Sequence, residues 1–487
     1  MTVIRLKFII SYVLFKLFHP VQGCDKMGSS LEEVIGKIFP KEQYSFDPAI
    51  LYAYSSDVSQ FEQLPRVVVR PTDKEQVVKV VKYAAGEKIP LVARGNGSGA
   101  AGGAVPVKGC ILVDFTLMNQ VLEVNLTNHM VRVQPGIVHA DLNNYLKKDK
   151  VLFPVVPGSS EMATIGGMIG NNASGLKAVK YGTTKDWVVD LQVVFPDGEM
   201  TWLTRPVRKS ATGLDLVRLM VGSEGTLGLV VEALLRIAPI PPHRRIMQAS
   251  FKNLEDLGKC VSALFQHGLI PSAMEVLDRS AIDAIHLYKE AVNLSPDAAA
   301  VLLLEEEGDE LGYIQFRLQK FQQVCQENGA YNLHISQSEK ENTQLWEARS
   351  LVGASSSLVK PGYNRIYVGE DITVPIDRLV EMFKKLRDLA KSYTLPIIVF
   401  GHIGDGNIHP AITVRKREPA DLALAEKLQD EIHHAALALG GSVSGEHGVG
   451  LARKRYLPEE RGYAIEIMRK IKQAIDPNNI LNPSKIY

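Results

Sequence analysis

Ile89-Pro-Leu-Val-Ala-Arg-Gly-Asn-Gly-Ser-Gly-Ala-Ala-Gly-Gly-Ala-Val-Pro106 is typical of an apolar strand that runs straight into a glycine-rich loop. Its Gly97-x-Gly99-x-x-Gly102 pattern matches the dinucleotide-binding fingerprint, which requires a helix directly after the loop. Only eight residues, two of them glycines and one a proline, separate Gly102 from the next predicted strand at Ile111. A crossover helix needs about ten or more residues. The sequence therefore predicts a loop without a helix, whose successive backbone N–H groups bind a pyrophosphate directly.

The segments around this loop predict an α/β lobe. A strand at residues 66–70 precedes a helix that begins with the capping box Thr72-x-x-Glu75 and ends at Gly86. Further strands are predicted at residues 111–114, 130–134, 188–195 and 227–237. The proline-rich Pro239-Ile-Pro-Pro242 marks the end of the lobe and a domain boundary.

The second half of the chain predicts an α+β domain. Strands at residues 247–251, 299–305, 366–372 and 397–400 alternate with helical patterns at 254–267 and 376–392. The acidic run Glu305-Glu-Glu-Gly-Asp-Glu310 follows an apolar strand, and this position is more typical of a solvated turn than of a cation site. We assign this run no function.

Length, charge and cysteine count limit the class of protein. A chain of 487 residues exceeds what one hydrophobic core organises and predicts roughly two or three lobes. Its 55 Lys and Arg balance 54 Asp and Glu, so the chain has no overall basic field and nucleic acid is excluded as a partner. Four cysteines, at positions 24, 110, 260 and 325, form no C-x-x-C pair. We expect reduced structural thiols in a cytosolic protein.

Residues 1–26 form an extension that has two interpretations. Arg5 and Lys7 precede an apolar stretch, as in a secretory signal, but the stretch is short and interrupted, and the segment before Cys24 fits a cleavage site poorly. The interpretation that we favour is a wrongly chosen start codon, with Met27 opening the protein. The expected location is cytoplasmic, and a peripheral association with a membrane is left open.

Two glycine-dense loops carry the histidines of a predicted metal site. Phe400-Gly-His-Ile-Gly-Asp-Gly-Asn-Ile-His-Pro410 predicts a hairpin in which His402 and His409 are directly opposed, with Cβ atoms about 5 Å apart. That spacing suits two imidazoles on one divalent ion, with positions left open for a substrate. Ser444-Gly-Glu-His-Gly-Val-Gly450 supplies a carboxylate and a further histidine. The neighbouring His433 and His434 lie in a predicted helix and face different directions, so we expect surface or packing roles.

Several separate segments resemble those of the vanillyl-alcohol-oxidase-type (PCMH-type) FAD-binding family, and the resemblance extends from about residue 27 to residue 487. The segments are Arg94-Gly-Asn-Gly-Ser-Gly99, Gly102-Gly-Ala-Val-Pro106, Pro157-Gly-Ser159, Ile165-Gly-Gly167, Asn171-Asn-Ala-Ser-Gly175, Lys180-Tyr-Gly182 and Gly222-Ser-Glu-Gly-Thr-Leu-Gly228. The resemblance implies that FAD is bound by Arg94, Gly95, Asn96, Gly97, Ser98, Gly99, Gly158, Ser159, Thr164, Gly166, Gly167, Asn171, Gly175, Gly225 and Val230. Covalent members usually carry a histidine in the glycine loop, and residues 94–106 contain none. Non-covalent FAD is therefore expected.

The resemblance also implies the architecture of an α+β protein. Residues 27–241 would form an α/β FAD-binding PCMH-type domain of two subdomains. Residues 242–435 would form an α+β ferredoxin-like cap domain with an antiparallel sheet, on which the substrate binds. Residues 436–487 would form a C-terminal helical segment that completes the active site.

The motifs Gly-His-x-Gly-Asp-Gly-Asn-x-His and Ser-Gly-Glu-His-Gly narrow the resemblance to one branch of the family. That branch contains glycolate oxidase catalytic subunits, FAD-linked D-lactate dehydrogenases and D-2-hydroxyglutarate dehydrogenases. The resemblance makes His402, His409 and Glu446 metal ligands, and His447 the proton-transferring residue. It places Asn407 near the substrate and makes Arg349, in Trp346-Glu-Ala-Arg349, the residue that binds the substrate carboxylate. The donor set suits zinc, manganese or iron.

The implied reaction is oxidation of a small D-2-hydroxy acid to the 2-oxo acid. Hydride leaves the carbinol carbon only if the hydroxyl proton is lost, and a divalent cation with His447 as base provides for that loss. Tyr367-Val-Gly-Glu-Asp371 lacks the lysine that hydroxyglutarate-oxidising members place nearby, so D-lactate or glycolate is favoured over D-2-hydroxyglutarate. The flavin then passes electrons to an electron-transfer flavoprotein, a quinone, a cytochrome or an iron–sulfur subunit. Both a homodimer and a subunit of a larger complex are left open.

Two other classes of protein remain as alternatives at this point. A metal-dependent hydrolase would use the same His402, His409 and Glu446, but it would leave the glycine loop unexplained. A non-catalytic subunit of a flavoprotein complex would keep the FAD lobe and lose the histidine loops, whereas this chain has both.

Overall fold

The computed structural model describes residues 30–367 and 369–487. The predicted extension at residues 1–26, with Cys24 and the alternative start at Met27, lies outside the described residues. The helices are α1 (Leu31–Ile38), α2 (Pro48–Ala53), α3 (Lys74–Glu87), α4 (His139–Leu146), α5 (Ile165–Asn171), α6 (Ala178–Tyr181), α7 (Thr184–Trp187), α8 (Leu216–Met220), α9 (Leu254–Gln266), α10 (Arg279–Tyr288), α11 (Leu311–Glu327), α12 (Glu339–Ser355), α13 (Leu379–Ser392), α14 (Pro419–Ala438), α15 (Leu457–Arg461) and α16 (Ala464–Ile475). The strands are β1 (Tyr44–Ser45), β2 (Val67–Val69), β3 (Leu91–Arg94), β4 (Ile111–Asp114), β5 (Val121–Asn125), β6 (Met130–Val133), β7 (Val151–Leu152), β8 (Val188–Val194), β9 (Met200–Trp202), β10 (Leu229–Arg236), β11 (Ala238–Pro239), β12 (His243–Phe251), β13 (Ala273–Asp278), β14 (Ala300–Gly308), β15 (Tyr331–Ile335), β16 (Asn364–Ile366), β17 (Ile372–Thr373), β18 (Ile397–His402) and β19 (Asn407–Val414).

The N-terminal lobe contains two main sheets, each with its own core. The first has the strand order β1-β2-β4-β3, and its strands β2, β4 and β3 are parallel. The second has the order β5-β6-β10-β8-β9 and is antiparallel. The first sheet buries its apolar side chains against α1 and α3, and the second buries its own against α4, α5 and α8. The lobe therefore consists of two subdomains, as predicted.

The glycine-rich loop joins β3 to the neighbouring parallel strand β4. In this pair Leu91 of β3 lies opposite Ile111 of β4. Residues 95–110 contain no helix, which confirms the predicted connection without a crossover helix. The ammonium of Lys485 holds the loop from behind, because it donates to the carbonyls of Gly102 and Val105 at 2.5 and 2.6 Å. The C-terminal residues thus fix the backbone of a loop that lies nearly 400 residues away in the sequence.

The predicted start of α3 is wrong by one residue. The helix is capped by Asp73, whose side chain accepts the Gln76 N–H at 2.8 Å, and not by Thr72. A carboxylate at this position also interacts favourably with the positive end of the helix dipole, which a hydroxyl cannot do to the same extent. The helix continues past Gly86 and ends at Glu87, with Lys88 in the left-handed conformation.

The second domain is built on an eight-stranded sheet. Its strand order is β15-β12-β14-β13-β18-β19-β16, with β17 also paired to β19, and all its pairs are antiparallel. One face packs against α9, α11, α13 and α14, and the other packs against α10 and α12. Because side chains alternate along a strand, residues 275, 277, 398, 400 and 402 lie on the face of α10 and α12.

The predicted strand at residues 366–372 is interrupted. β16 ends at Ile366 and β17 begins at Ile372, and between them Glu370 and Asp371 are fully buried. Their carboxylates bind the Arg365 side chain and the backbone of residues 445–447. Between the two strands the chain leaves the ladder, and both carboxylates make their contacts outside it.

The first three residues of the acidic run do not form a solvated turn, because they belong to the strand β14 (Ala300–Gly308) itself. Glu305, Glu306 and Glu307 are buried. Lys177 and Lys180 of the N-terminal lobe form ion pairs with this run, and the Tyr181 hydroxyl donates to Glu307 at 2.7 Å. The prediction was wrong because the lysines that pair with Glu305 and Glu307 come from a distant segment. The run joins the two lobes.

The C-terminal residues pack on the N-terminal lobe. Ile480 and Leu481 are buried in the core of the first sheet, and the Leu91 N–H donates to the Ile480 carbonyl at 2.7 Å. The cysteines that the structure describes, at positions 110, 260 and 325, are free and buried. Across the described part of the chain, we find no helix with the length and apolarity needed to span a bilayer.

Candidate active site between the two lobes

One large cleft separates the glycine loop from the histidine loops. Its volume is about 1320 Å³, which exceeds the roughly 300–1,000 Å³ of an ordinary small-molecule pocket. The N-terminal lobe lines it with the glycine loop, residues 156–171 and residues 223–230. The second domain and the C-terminal segment line it with Arg349, Phe400, His402, Glu446 and His447. The two predicted sites therefore share one cavity, large enough for a dinucleotide together with a small substrate.

The glycine loop is closely packed where it meets the cleft. Gly97 has a φ of +68°, and a Cβ atom there would lie 2.2 Å from the Arg94 guanidinium. A Cβ atom on Gly95 would lie 2.1 Å from Oγ1 of Thr164. The Asn96 amide donates to the Met162 carbonyl at 2.9 Å. A side chain at Gly95 would collide with Thr164, and one at Gly97 would strain the backbone and displace the Arg94 guanidinium.

The cleft brings together almost all of the predicted FAD-binding residues. The lining includes Arg94, Gly95, Asn96, Gly97, Ser98, Gly99, Gly158, Ser159, Thr164, Gly166, Gly167, Asn171, Gly225 and Val230. Gly175 is not part of it. A Cβ atom there would lie 2.1 Å from the Val156 carbonyl oxygen, so Gly175 packs beneath the backbone that precedes Gly158. A contact of Gly175 with the cofactor stays a prediction.

The predicted pairing of His402 with His409 is wrong by two residues. His402 pairs with Asn407, and His409 pairs with Phe400. A short 3-10 turn at Ile403–Asp405 and the left-handed Gly406 form the connection, so the hairpin closes earlier than a symmetric turn would. His402 and His409 are therefore diagonal neighbours on one face, with ring centroids 5.0 Å apart. Diagonal side chains on one face of a sheet remain within reach of each other.

Three imidazoles converge on one carboxylate oxygen, Oε1 of Glu446. The Nε2 atoms of His402, His409 and His447 lie 3.7, 3.4 and 3.5 Å from it. Ligand atoms of His402, His409 and Glu446 all lie within 4.8 Å of one another. His402 contacts Glu275 through Nδ1, and His409 contacts the Glu370 carbonyl through Nδ1 at 2.9 Å. In both histidines the Nε2 atom is therefore the one that faces the cleft.

Two buried carboxylates hold the loop that carries Glu446 and His447. Asp371 accepts the N–H groups of Gly445, Glu446 and His447 and the hydroxyl of Ser444. From the N-terminal lobe, Glu224 accepts the N–H groups of residues 449 and 450 at 2.6 and 2.8 Å. The loop is thus fixed from both sides of the cleft.

The charges in this cluster are set by burial and by its own carboxylates. Burial opposes ionisation of Glu446, but its contacts with His402 and His447 hold its pKa well below the usual range. Burial lowers the pKa of His409 to about 4. Burial also disfavours charge on His402, yet Glu275 and Glu446 raise its pKa well above the ordinary value. For His447, Asp371 and Glu446 outweigh burial and raise the pKa. An ionised Glu446 and a neutral His409 are the forms that ligate a metal, whereas His402 would have to give up its proton to do so.

Arg349 lies beside the histidine cluster. Its Nε donates to the fully buried Glu275 at 2.5 Å, and its guanidinium lies 4.8 Å from the centroid of the Phe400 ring. The terminal nitrogens of the guanidinium remain for a ligand in the cleft. This placement suits the predicted role of binding a carboxylate.

Asn407 lies behind the cleft and is not part of its lining. Its buried side chain donates to Asp371 at 2.8 Å and to the Ile372 carbonyl at 3.0 Å. In this structure Asn407 supports Asp371, which in turn holds the loop of Glu446 and His447, and its place near the substrate stays a prediction.

His433 and His434 occupy the packing and surface positions that the sequence predicts. The fully buried His433 ring stacks on Tyr456 at a centroid distance of 4.4 Å. The half-exposed His434 forms an ion pair with Glu459 at 2.9 Å. Neither histidine lines the cleft.

Sequence reasoning missed four buried or cleft-lining residues. They are Glu224, Glu275, Arg365 and Asp371. Glu275 and Asp371 are charged residues within or beside apolar strands, which is the one local signal that marks a buried, paired carboxylate. The partners of all four lie far away in the chain or across an irregular turn, so spacing alone does not reveal them.

Two family models match this chain. A model described as "FAD binding domain" matches residues 65–204, and one described as "FAD linked oxidases, C-terminal domain" matches residues 240–486. Over 459 residues the chain is 33% identical to glycolate oxidase subunit GlcD of Bacillus subtilis (strain 168), covering 94% of this chain and 96% of that protein. Over 424 residues it is 34% identical to the mitochondrial D-lactate dehydrogenase (cytochrome) of Arabidopsis thaliana, covering 87% and 73%.

Comparison with solved structures supports the fold. The crystal structure of p-cresol methylhydroxylase with substrate bound superposes with a TM-score of 0.77 at 18% identity, covering 93% of this chain and 96% of that one. This likeness confirms the predicted α+β class, with a PCMH-type arrangement and antiparallel sheets.

Proposed function

This chain belongs to the FAD-linked oxidase family, and we propose that it oxidises a small D-2-hydroxy acid, D-lactate or glycolate, to the 2-oxo acid. Family members of this kind are flavoprotein oxidoreductases that act on CH–OH donors. Membership of this family excludes the alternative that the chain is a metal-dependent hydrolase. The observation that carries the proposal is the single cleft that the glycine loop shares with Arg349 and the cluster of His402, His409, Glu446 and His447.

The substrate carboxylate binds to Arg349 in this proposal. Glu275 takes the Nε–H of the guanidinium, which leaves the two terminal nitrogens to form a bidentate pair. The Phe400 ring supports the guanidinium from the side. The substrate hydroxyl is then placed toward His447, the more exposed member of the cluster.

His402, His409 and Glu446 are the residues that would hold a divalent cation. Metal–ligand bonds of about 2.0–2.1 Å in a tetrahedral site separate neighbouring ligand atoms by roughly 3.3–3.5 Å. The 3.4 Å separation between Glu446 Oε1 and His409 Nε2 lies within that range, and the 3.7 Å separation from His402 Nε2 is slightly longer. A bound cation supplies charge that lowers the pKa of the substrate hydroxyl by several units. Zinc, manganese and iron all suit this donor set.

His447 accepts the hydroxyl proton at Nε2. Its Nδ1 side lies 3.8 Å from the Asp371 carboxylate, which favours the protonated ring that results. The backbone of His447 is held by Asp371 and contacts Asn171 of the N-terminal lobe at 3.4 Å. The base therefore has a fixed position relative to the FAD-binding residues.

We propose non-covalent FAD in the N-terminal part of the cleft. The fit rests on the close backbone packing of Gly95 and Gly97 and on the absence of histidine from residues 94–106. When bound, the flavin supplies the hydride acceptor for the carbinol carbon. The loop residues bind and orient it through their backbone groups.

A second candidate substrate is a hydroxy acid with two carboxylates, such as D-2-hydroxyglutarate. The observation that favours it is Arg365, which lines the cleft and lies 5.4 Å from the Phe400 ring centroid, on the same ring as Arg349. Glu370 takes both the Nε–H and one terminal nitrogen of Arg365, whereas Glu275 takes only the Nε–H of Arg349 and leaves both of its terminal nitrogens. For that reason we keep the monocarboxylic D-lactate or glycolate as the first candidate.

We also propose a separate electron acceptor: an electron-transfer flavoprotein, a quinone, a cytochrome or an iron–sulfur subunit. The names of the relatives, a glycolate oxidase subunit and a D-lactate dehydrogenase (cytochrome), support this proposal.

The proposed units are an FAD-binding domain at residues 27–241, a substrate domain at 242–435 and a completing segment at 436–487. A cytoplasmic or peripheral membrane location stays a proposal.

Anaerobic titration tests the function. Purified protein containing FAD is mixed with D-lactate, glycolate, D-2-hydroxyglutarate and L-lactate in turn, and the absorbance of oxidised flavin is followed. We expect bleaching with D-lactate or glycolate and formation of the 2-oxo acid in equal amount. Bleaching by none of these acids would overturn the proposal, and fastest bleaching by D-2-hydroxyglutarate would move the assignment to the second candidate.

A further inference from the structure

The geometry points to Glu275 as the residue that sets the distance between the hydroxyl-binding and carboxylate-binding groups, and thereby selects 2-hydroxy acids over 3-hydroxy acids. This inference rests on the function proposed above and concerns how the same site chooses its substrate. Glu275 is a positioning residue, because it acts through His402 and Arg349 and does not line the cleft.

Glu275 lies in the middle of β13 and is completely buried. Each of its two oxygens has a different partner: Oε1 contacts His402 Nδ1, and Oε2 accepts Arg349 Nε–H. In the pairing of β13 with β18, Val276 lies opposite Gly401. Extending this register by one residue places Glu275 opposite His402, so the contact between them is built into the sheet.

The contacts with Glu275 give His402 and Arg349 each a single orientation toward the cleft. The contact at Nδ1 leaves Nε2 of His402 pointing at Glu446. The contact at Nε leaves the terminal nitrogens of Arg349 for a carboxylate, and the guanidinium lies 4.8 Å from the centroid of the Phe400 ring. A carboxylate in a fully buried position is retained only with such partners, because an unpaired charge there is strongly destabilising.

The Glu275 carboxylate therefore joins His402, which lies near the substrate hydroxyl, to Arg349, which binds the substrate carboxylate. Its two oxygens share one carbon, so the spacing between His402 and Arg349 cannot vary independently of it. In a 2-hydroxy acid the hydroxyl-bearing carbon is bonded directly to the carboxylate carbon. In a 3-hydroxy acid one more carbon intervenes, which adds up to about 1.5 Å to the span. A misplacement of that size can cost roughly 100-fold in rate.

The other interpretation of Glu275 is that of a buried charge that serves stability alone. Stability alone predicts that changes at Glu275 affect all substrates in the same proportion. A role in spacing predicts that the ratio between 2-hydroxy and 3-hydroxy acids changes. The ratio is therefore the quantity to measure.

Glu275→Asp is the test variant, because it keeps the charge and withdraws the carboxylate by one methylene, about 1.5 Å. Glu232→Asp is the matched control. Glu232 is also buried on a strand and paired with two cations, Lys74 at 2.8 Å and Arg132 at 3.4 Å, but it lies away from the cleft. For both variants we would measure FAD and metal per chain, the affinity for oxalate from the flavin spectrum, and kcat/KM for D-lactate and (R)-3-hydroxybutanoate.

We expect Glu275→Asp to keep FAD, to weaken both metal and oxalate binding, and to lower kcat/KM for D-lactate by about 10–100-fold. The preference for D-lactate over (R)-3-hydroxybutanoate should fall at least about tenfold, whereas Glu232→Asp leaves it unchanged. An unchanged preference in Glu275→Asp, or loss of only one of the two binding events, would overturn the inference. If the unaltered protein is reduced by none of the hydroxy acids, the proposed function fails. Metal and oxalate binding then still decide whether Glu275 positions both groups, because neither needs turnover.

Discussion

The glycine loop and the histidine cluster lie on opposite sides of one cleft, but they are built in different ways. The loop is one contiguous stretch, residues 94–106, and it meets the cleft with its backbone. The cluster is assembled from β13, α12, the β18–β19 hairpin and residues 444–450. A site made of backbone depends on local sequence, whereas a site made of side chains depends on the buried groups that hold them. Changes in the two regions should therefore have separable effects.

The largest expected effect is on the cluster side, in His447→Ala. Loss of a positioned base lowers the rate by about 10²–10⁴-fold. FAD should remain bound, because the described contact of His447 with the cofactor-binding residues is made by its carbonyl, to Asn171. The measurements are anaerobic flavin reduction by stopped flow and FAD content. The control is His434→Ala, which removes a half-exposed imidazole outside the cleft and should leave the rate unchanged. Equal rates in both variants would remove His447 from its role.

Asp371→Asn should sharpen the comparison, because it removes both the support of the Glu446 and His447 loop and the charge beside His447 Nδ1, while it leaves the glycine loop unchanged. The Asn amide would turn a donor toward N–H groups that now have an acceptor, and the loop of Glu446 and His447 would shift. We expect flavin reduction to slow by about 10–100-fold, with FAD retained. Ser444→Ala, which removes one of the donors to the same carboxylate, should cost far less. An Asp371→Asn enzyme with the original rate would show that the loop needs no such support.

Gly97→Ala tests the glycine loop, where we expect the affinity for FAD to change. A Cβ atom at Gly97 would meet the Arg94 guanidinium at 2.2 Å, so we expect FAD to bind at least about tenfold more weakly. Gly109→Ala is the matched control, since Gly109 has a similar φ of +78° but no atom within 4 Å of an added Cβ. Both variants carry the same backbone strain, and only the first should lose FAD. The measurement is the dissociation constant of FAD after removal and titration. Equal losses would mean that strain alone, and not the packing of the loop, controls binding.

Glu307→Gln should have the smallest effect on the reaction. It breaks the ion pairs with Lys177 and Lys180 that join the lobes, at a cost of about 1–3 kcal/mol in the free energy of unfolding. Denaturant unfolding measures that cost, and flavin reduction should keep its rate. Glu310→Gln, in the exposed end of the same acidic run, is the control and should leave stability unchanged. A large loss of activity in Glu307→Gln would mean that the cluster depends on the contact between the lobes as well as on its own carboxylates.

Elements that depend on a short stretch of sequence were predicted well. The strand at 111–114 and the loop without a helix agree with the structure because length and composition determine them. The β18–β19 register was wrong because the predicted turn was symmetric, and the actual turn contains a 3-10 segment and Gly406. The acidic run was misassigned because Lys177 and Lys180, which pair with Glu305 and Glu307, lie more than 100 residues away.

The candidate site was predictable as a set of residue types but not as an arrangement. His402, His409 and Glu446 come within reach of one another, and the sequence indicated this through two glycine-dense motifs. Gly175 was placed in the cleft because it belongs to a motif, yet it packs against the backbone of Val156. Glu275 has no motif of its own, and only the pairing of β13 with β18 shows what it contacts.

Metal dependence of flavin reduction tests most directly whether the two regions act on one substrate. FAD-loaded enzyme is reduced anaerobically with D-lactate before and after its metal is removed with a chelator, and again after zinc, manganese or iron is returned. We predict that the metal-free enzyme keeps its FAD but is reduced at least about 100-fold more slowly, and that one of the metals restores the rate. Reduction at the full rate in enzyme shown to contain no metal would contradict a joint action of the glycine loop and the histidine cluster.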